Sequence, residues 1–353
     1  MDFSLFYFDG DGSKPQADSY QLLIEGAKFA DQNGFTAVWT PERHFHAFGG
    51  LYPNPALIGA AIAVLTNTVE LRAGSVVAPL HHPARIAEDW AVVDRLSRGR
   101  AAFAFASGWT VDDFILSSAP YENRKQQMWQ AIDQVKRLWE GDIVELPDAN
   151  GKCFQITTFP RPLQRQFPLW ITCQSPTTFL EAGKRGANVL TSLLGGTLDD
   201  IAPLIRDYRQ ARENHGHDPD QGKVALMLHT FLGDDPETIR EQVQEPFSHY
   251  LKTHVNLLGN LVKSLGIPMN LENFSEQDVD SLLWFAVEGF LNGRSLIGTP
   301  ETCQPMIDQV KQAGVDEIAC LIDFIPDFNW VINSLPRLKT LKEKYHAPAL
   351  SIP

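Results

Sequence analysis

Positions 41 to 50 read Pro41-Glu42-Arg43-His44-Phe45-His46-Ala47-Phe48-Gly49-Gly50, which gathers an acid, a guanidinium, two imidazoles and two aromatic rings in one loop-like stretch. Histidine is the side chain best placed to move a proton near neutral pH, and a neighbouring carboxylate can fix its tautomer. Proton transfer by His44 is one reading. The other is a loop in which Glu42 and Arg43 form ion pairs and His44 is a satisfied polar residue. A second stretch, Cys173-Gln174-Ser175-Pro176-Thr177-Thr178, has the form of a helix start, with Ser175 as N-cap and Pro176 at the first helical position. Its first turn carries threonines and no acid before Glu181, which leaves free N–H groups and the positive end of the helix dipole to a phosphate. An ordinary cap would use the same residues. Leu194-Gly195-Gly196-Thr197 offers a second neutral turn into a helix, where glycine lets backbone approach a ligand; turns also use glycine routinely.

Ser107-Gly108-Trp109 precedes Asp112-Asp113-Phe114. Trp109 suits the wall of a pocket for a flat ring, or plain core packing. The paired aspartates lack a nearby histidine or third carboxylate, and the adjacent His81 and His82 cannot easily face one ion, so no metal is expected.

These segments fall between strand-like and helix-like stretches that alternate along the chain. Strands are expected over 3–8, 36–39, 69–73, 101–106, 169–173, 188–192, 223–230 and 317–322, with helices between them, one of them carried by Ile86, Trp90, Val93 and Leu96. Ala101 to Ala106 is unbroken apolar sequence, as parallel strands buried on both faces require. Eight strand–helix units predict an α/β fold, a (β/α)8 TIM barrel, in a single domain over 1–353. The competing doubly wound sheet would call for a GxGxxG after the first strand, and none is there. Two stretches break the rhythm: a surface excursion after strand four, about 141–168, and a segment after strand seven, about 249–295, expected as a lid, a subunit contact or a surface insertion. In such a barrel the site lies at the carboxyl ends of the strands, and the segments above stand there.

With 43 acidic against 30 basic residues the net charge is −13, which weighs against nucleic acid and against anionic lipid. The longest apolar run, Ala56 to Leu65, is too short to span a membrane, and the first residues lack the basic region of a signal peptide. The dispersed Cys153, Cys173, Cys303 and Cys320 fit reduced thiols of a cytoplasmic protein.

Taken together the segments resemble the bacterial luciferase-like flavin monooxygenases, in the branch found in natural-product gene clusters. The resemblance is carried by Trp39-Thr40-Pro41-Glu42-Arg43-His44-Phe45, by His82-Pro83-Ala84-Arg85 with Ser97-Arg98-Gly99-Arg100, by Asp113-Phe114 and by Gly298-Thr299-Pro300-Glu301. It implies a barrel that takes FMN as FMNH2 from a separate reductase, with O2 as co-substrate and a flavin C4a-(hydro)peroxide as the oxygen donor. Oxygen would pass to a small-molecule or carrier-protein-tethered intermediate, and the chain would form a homodimer or higher oligomer. The resemblance puts the flavin phosphate on Gln174, Ser175 and Thr178 and a strand-three bulge, which in relatives holds a non-proline cis peptide, on Ser75-Val76-Val77. Glu42, Ser107, Trp109 and Asp113 would surround the ring and ribityl chain. Arg43 stands where the light-emitting enzymes have their catalytic histidine, leaving His44 and Arg43 as the catalytic candidates. A neutral Ser107 in place of their phosphate-binding arginine implies loosely held FMN. Phe45, Phe48, Tyr52 and the 249–295 segment are the expected water-excluding cover. Relatives using a deazaflavin for hydride transfer, or a flavin-binding protein without turnover, are the alternatives.

Overall fold

The computed structural model describes residues 1–13, 18–117, 119–193, 196–264, 287–291 and 293–345, with backbone alone for 253–264. Its strands are β1 (Asp2–Phe6), β2 (Ala37–Thr40), β3 (Glu70–Val77), β4 (Ala101–Ala106), β5 (Val144–Pro147), β6 (Cys153–Ile156), β7 (Leu169–Thr172), β8 (Asn188–Ser192), β9 (Val224–Leu232), β10 (Leu296–Gly298) and β11 (Glu317–Leu321). The helices are α1 (Gln21–Gln32), α2 (Pro55–Ala63), α3 (Pro83–Ser97), α4 (Arg124–Glu140), α5 (Pro176–Lys184), α6 (Leu198–Asn214), α7 (Pro236–Ser264), α8 (Gln304–Gln312) and α9 (Phe328–Tyr345). The order β1-β2-β3-β4-β7-β8-β9-β11 closes on itself through the β11–β1 pairing, all parallel: a TIM barrel. The chain thus forms the expected barrel. β10 lies outside that ring, beside the far end of β9.

The unbroken apolar strands sit where both faces are covered. β9 is buried at every residue and β4 at all but its last. Strand three runs further than its apolar stretch suggested, to Val77, through a cis peptide at Gly74–Ser75 and a register shift between Gly74 and Val76. A side chain at Gly74 would come within 2.8 Å of the Phe6 ring, so this approach needs glycine. On α3, Ile86, Trp90 and Val93 face the barrel as expected, but Leu96 does not. Asp94 and Ser97 take the inward positions and turn Leu96 out to solvent. The excursion over 141–168 contains the antiparallel hairpin β5–β6, and Arg161 ties the return of the chain to α4 through the carbonyls of Leu138 (2.8 Å) and Trp139 (2.5 Å). Within 249–295, α7 continues to Ser264, well past the expected end near Tyr250; residues 265–286 and 292 lie outside the described residues. Among the described residues no helix is long and apolar enough to cross a membrane.

The lower end of the barrel is held by charge. Arg72 of β3 donates to both oxygens of Glu317 on β11, at 3.0 and 2.8 Å, and to Glu70 at 2.8 Å, its guanidinium lying against the rings of Trp39 and Trp170. Glu317 also accepts from Ser4 (2.5 Å) and Trp39 Nε1 (3.1 Å). One buried carboxylate therefore joins β1, β2, β3 and β11.

At the opposite end, Asp323 follows β11 and accepts from the backbone N–H of Phe8 (2.9 Å), Asp9 (3.0 Å) and Gly10 (3.3 Å), fixing the chain as it leaves β1. Burial pushes the Asp323 carboxyl up to about 6, against those N–H bonds, and burial with the charges of Asp323 and Asp11 pushes Asp9 up to about 8. Acids raised in the folded state bind protons more tightly there than when unfolded. Their penalty is absent below the ordinary 3.8 and grows as pH rises through those folded values. Asp9→Asn removes Asp9's share, so its gain in urea midpoint over the parent should be larger at pH 8 than at pH 5. An equal gain at both pH values would contradict this account of Asp9.

Candidate functional site

At the carboxyl ends of the strands a pocket with an atom-free volume of about 880 Å³, its open mouth included, lies between β2, β3, β4, β7, β8 and β9. Phe6, Phe8, Val77, Trp109, Leu190 and Met227 make much of its wall apolar, and Glu42, Arg43, Ser75, Thr172, Gln174 and Ser192 bring polar groups to it. A mostly apolar cleft with a few convergent polar groups is what a small-molecule site requires.

Glu42 leaves the end of β2 fully buried and organises one side. Its Oε1 accepts from His44 Nε2 at 2.8 Å and pairs with His81 Nε2 at 2.5 Å, and its Oε2 accepts the Val77 N–H at 2.7 Å. Burial raises the Glu42 pKa, but the bonds from His44 and His81 outweigh it, and Glu42 stays below the ordinary carboxylate range. For His81 burial favours the neutral ring, and the bond to Glu42 overrides it and raises the pKa. His81 was ambiguous in the sequence because it meets Glu42 only across two strand ends; its neighbour His82 caps α3, its Nδ1 accepting from the Ala84 N–H at 3.3 Å. Among the described residues no group of three His, Cys, Asp or Glu could hold a metal ion.

Arg43 follows on the same loop. Its guanidinium lies 4.1 Å from the Phe8 ring centre and 4.9 Å from that of Trp109, lines the pocket, and leaves Nε buried without a partner. Burial lowers its pKa to about 10, so it remains a cation at neutral pH. Its stem passes over Gly49 (φ 69°), where a Cβ would stand 2.6 Å from Arg43 Cγ. Of the ion pairs considered above for Glu42 and Arg43, Glu42 forms its own with His44 and His81, beside the Val77 amide, and Arg43 forms none among the described residues.

The expected site residues divide as follows. Glu42, Arg43, Ser75, Val77, Trp109 and Gln174 share the pocket. Val76 is buried in the core and does not line it, because alternate residues of a strand face opposite ways. His44 stands behind Glu42 rather than on the wall. Ser107 lies between the lining residues Ala106 and Trp109. Asp113, in a 3-10 turn (Asp112–Leu116), is buried with Oδ1 unpartnered; burial raises its pKa against the pull of His44 and Arg43. Ser175 precedes α5 with Pro176 at the first position, but its side chain does not cap the helix. Its hydroxyl bonds those of Thr177 (3.1 Å) and Thr178 (2.9 Å), forming a hydroxyl cluster beside Gln174, whose Nε2 donates to Ser192 Oγ (2.9 Å). Gly195 lies outside the described residues. The turn at Gly196 does not offer a free helix end: Asp199 and Asp200 occupy the first turn of α6, and Thr197 and Asp200 close it as a capping box. Of the expected cover, Phe45 is exposed, whereas Phe48 and Tyr52 belong to the core, Phe48 packing on Phe8 (5.6 Å) and on Tyr250 of α7 (5.8 Å).

A family model described as luciferase-like monooxygenase matches residues 1–317. The oxygenase component of the flavin-dependent trigonelline monooxygenase of Acinetobacter baylyi is 28% identical, over 96% of this chain and 93% of its own. Among solved structures, the monooxygenase RslO1 of Streptomyces bottropensis superposes with a TM-score of 0.80 at 21% identity, covering 98% of this chain and all of its own. The oxygenating constituent of 3,6-diketocamphane monooxygenase of Pseudomonas putida, in complex with FMN, gives 0.77 at 18% identity, covering 96% of each chain. The last two show likeness of fold.

Proposed function

Since the chain belongs to the luciferase-like monooxygenase family and is a flavin-dependent enzyme of that kind, we propose that it takes FMN in reduced form from a separate reductase and oxygenates a small biosynthetic intermediate in the cytoplasm. What supports this reading is the pocket itself: a mostly apolar lining that includes Val77 and Trp109, suited to a flat ring, and reaches Gln174, the residue before the hydroxyl cluster at the start of α5, suited to a phosphate. Reduced FMN, when bound, supplies activation of dioxygen, one atom of which enters the substrate while the other leaves as water. The residues present fit such a group. Gln174, Ser175 and Thr178 would hold its phosphate through neutral donors, and Val77, Trp109 and Met227 would keep water from the ring. Glu42 fixes His44 through its Nε2, and His44, next in sequence to the lining residue Arg43, would serve as the proton carrier nearest the pocket.

The test is titration with oxidised and reduced FMN followed by turnover under labelled dioxygen with a reductase. One-site binding and one labelled atom in the product support the reading. Affinity for a deazaflavin but for neither form of FMN would replace it with hydride transfer. Ser175→Ala combined with Thr178→Val should weaken FMN roughly tenfold by removing two neutral hydrogen bonds of about 0.5–1.5 kcal/mol each, and should leave riboflavin binding unchanged. The partner reading rests on the outward apolar side chains Leu57, Val64, Leu65, Val92 and Leu96, which suit pairing of α2 and α3 with a second copy. Leu57→Glu with Val92→Glu should shift sedimentation from dimer to monomer; a parent that already sediments as a monomer removes that part of the reading.

A further inference from the structure

Arg43 is a buried cation with no counter-ion in contact. The residue is 7% exposed, no ion pair forms at it among the described residues, and Phe8 and Trp109 lie against its guanidinium. The rings offset part of the cost of removing the charge from water, but they accept no hydrogen bonds in the guanidinium plane. The groups acting on it from neighbouring elements are Tyr250 of α7 and Asp113, the latter without contact and itself held toward its protonated form by burial. Arg43 lines the pocket, where Glu42 is committed to His44, His81 and Val77, so the guanidinium donors without a partner among the described residues are left to a ligand.

We propose that Arg43 is a specificity-determining residue that receives an anionic group of the substrate, so that the enzyme acts on organic acids whose carboxylate docks on the Arg43 fork while the apolar body lies against the part of the pocket wall at Phe8 that the flavin leaves open. Rings beside a guanidinium accept no hydrogen bond in its plane, so its edge is left for polar contact, and an edge of parallel N–H donors matches the two oxygens of a carboxylate. In an apolar pocket this pairing separates an acid from its uncharged isostere by more than the same contact would in water. The inference rests on the functional reading above for the identity of the pocket, and on the unneutralised charge for the class of ligand.

The experiment measures affinities of the FMN-loaded protein for matched pairs of probes: benzoate and benzamide, phenylacetate and phenylacetamide, octanoate and octanamide. The expected result is at least one pair in which the acid binds about tenfold or more tightly than its amide, the weight of a charge-assisted bidentate contact. Arg43→Met should bring the two within about twofold, and Arg43→Lys should keep only part of the preference because ammonium lacks the fork. Acids and amides binding the parent alike, or no acid binding at all, overturn the inference without recourse to any variant. So does a Met variant that keeps the acid preference, or one that loses FMN affinity tenfold while the preference persists, since the charge would then serve the flavin. FMN titration on the same samples separates the two levels: FMN bound without acid preference removes this inference alone, and absence of FMN binding removes the functional reading.

Discussion

Arg72→Ala is expected to cost about 3–5 kcal/mol of folding stability, the usual consequence of leaving one member of a buried ion pair behind. Both side chains are almost wholly enclosed, at 4% and 3% exposure, so water cannot take the place of the guanidinium. Glu317 would keep Ser4 and Trp39 as donors but lose the cation that, among the described residues, bonds it. Trp39 and Trp170 would lose the guanidinium packed against both of them, adding a cavity term. Urea unfolding at neutral pH measures the loss. A change below about 1 kcal/mol would show that the pair is dispensable. Replacing Arg72 by Met and Glu317 by Leu together should recover much of the loss, because no charge is then stranded.

Glu42→Ala should lower the rate of labelled-oxygen incorporation by about a hundredfold, the lower range for loss of a positioned acid–base group. It should also destabilise the fold by about 1–3 kcal/mol, because two imidazoles and the Val77 amide lose their shared acceptor. Glu42→Gln keeps the shape while removing the charge that raises His81, so the His81 ring should titrate at lower pH in that variant, read by NMR. If His81 titrates unchanged, or the alanine variant turns over normally with FMN bound, Glu42 does not organise this site.

The barrel was legible because parallel strands covered on both faces are written as short apolar runs, Ala101 to Ala106 and Lys223 to Thr230 among them. What escaped lacked such a run. β10 has three residues and depends on the end of β9, and the second half of β3 contains the polar Ser75. At the site, the local pattern Glu42-Arg43-His44 was visible, but the roles within it came from distant residues. His81 claims Glu42 across 39 positions, and Phe8 and Trp109 hold Arg43 from two other loops. Arg72 and Glu317 carried a signal that went unread: a charge inside an otherwise apolar strand must find its opposite in another strand. Leu96 and the Gly196 turn misled for the converse reason, since spacing identifies a helix face or a turn but not which neighbour will satisfy it.

The pairing of Arg72 with Glu317 also orders events during synthesis. The arginine leaves the ribosome beside Glu70, which bonds its Nε, but 245 residues before Glu317, the buried carboxylate that takes its Nη1. Until β11 emerges, any nascent intermediate that buried Arg72 would have only the half-exposed Glu70 on its Nε and no carboxylate for Nη1, so the earlier strands gain by keeping that end hydrated and open. Sealing of the lower barrel then coincides with arrival of the last strand, and a polypeptide released early would present chaperones and proteases with an unsealed end rather than a stable partial barrel.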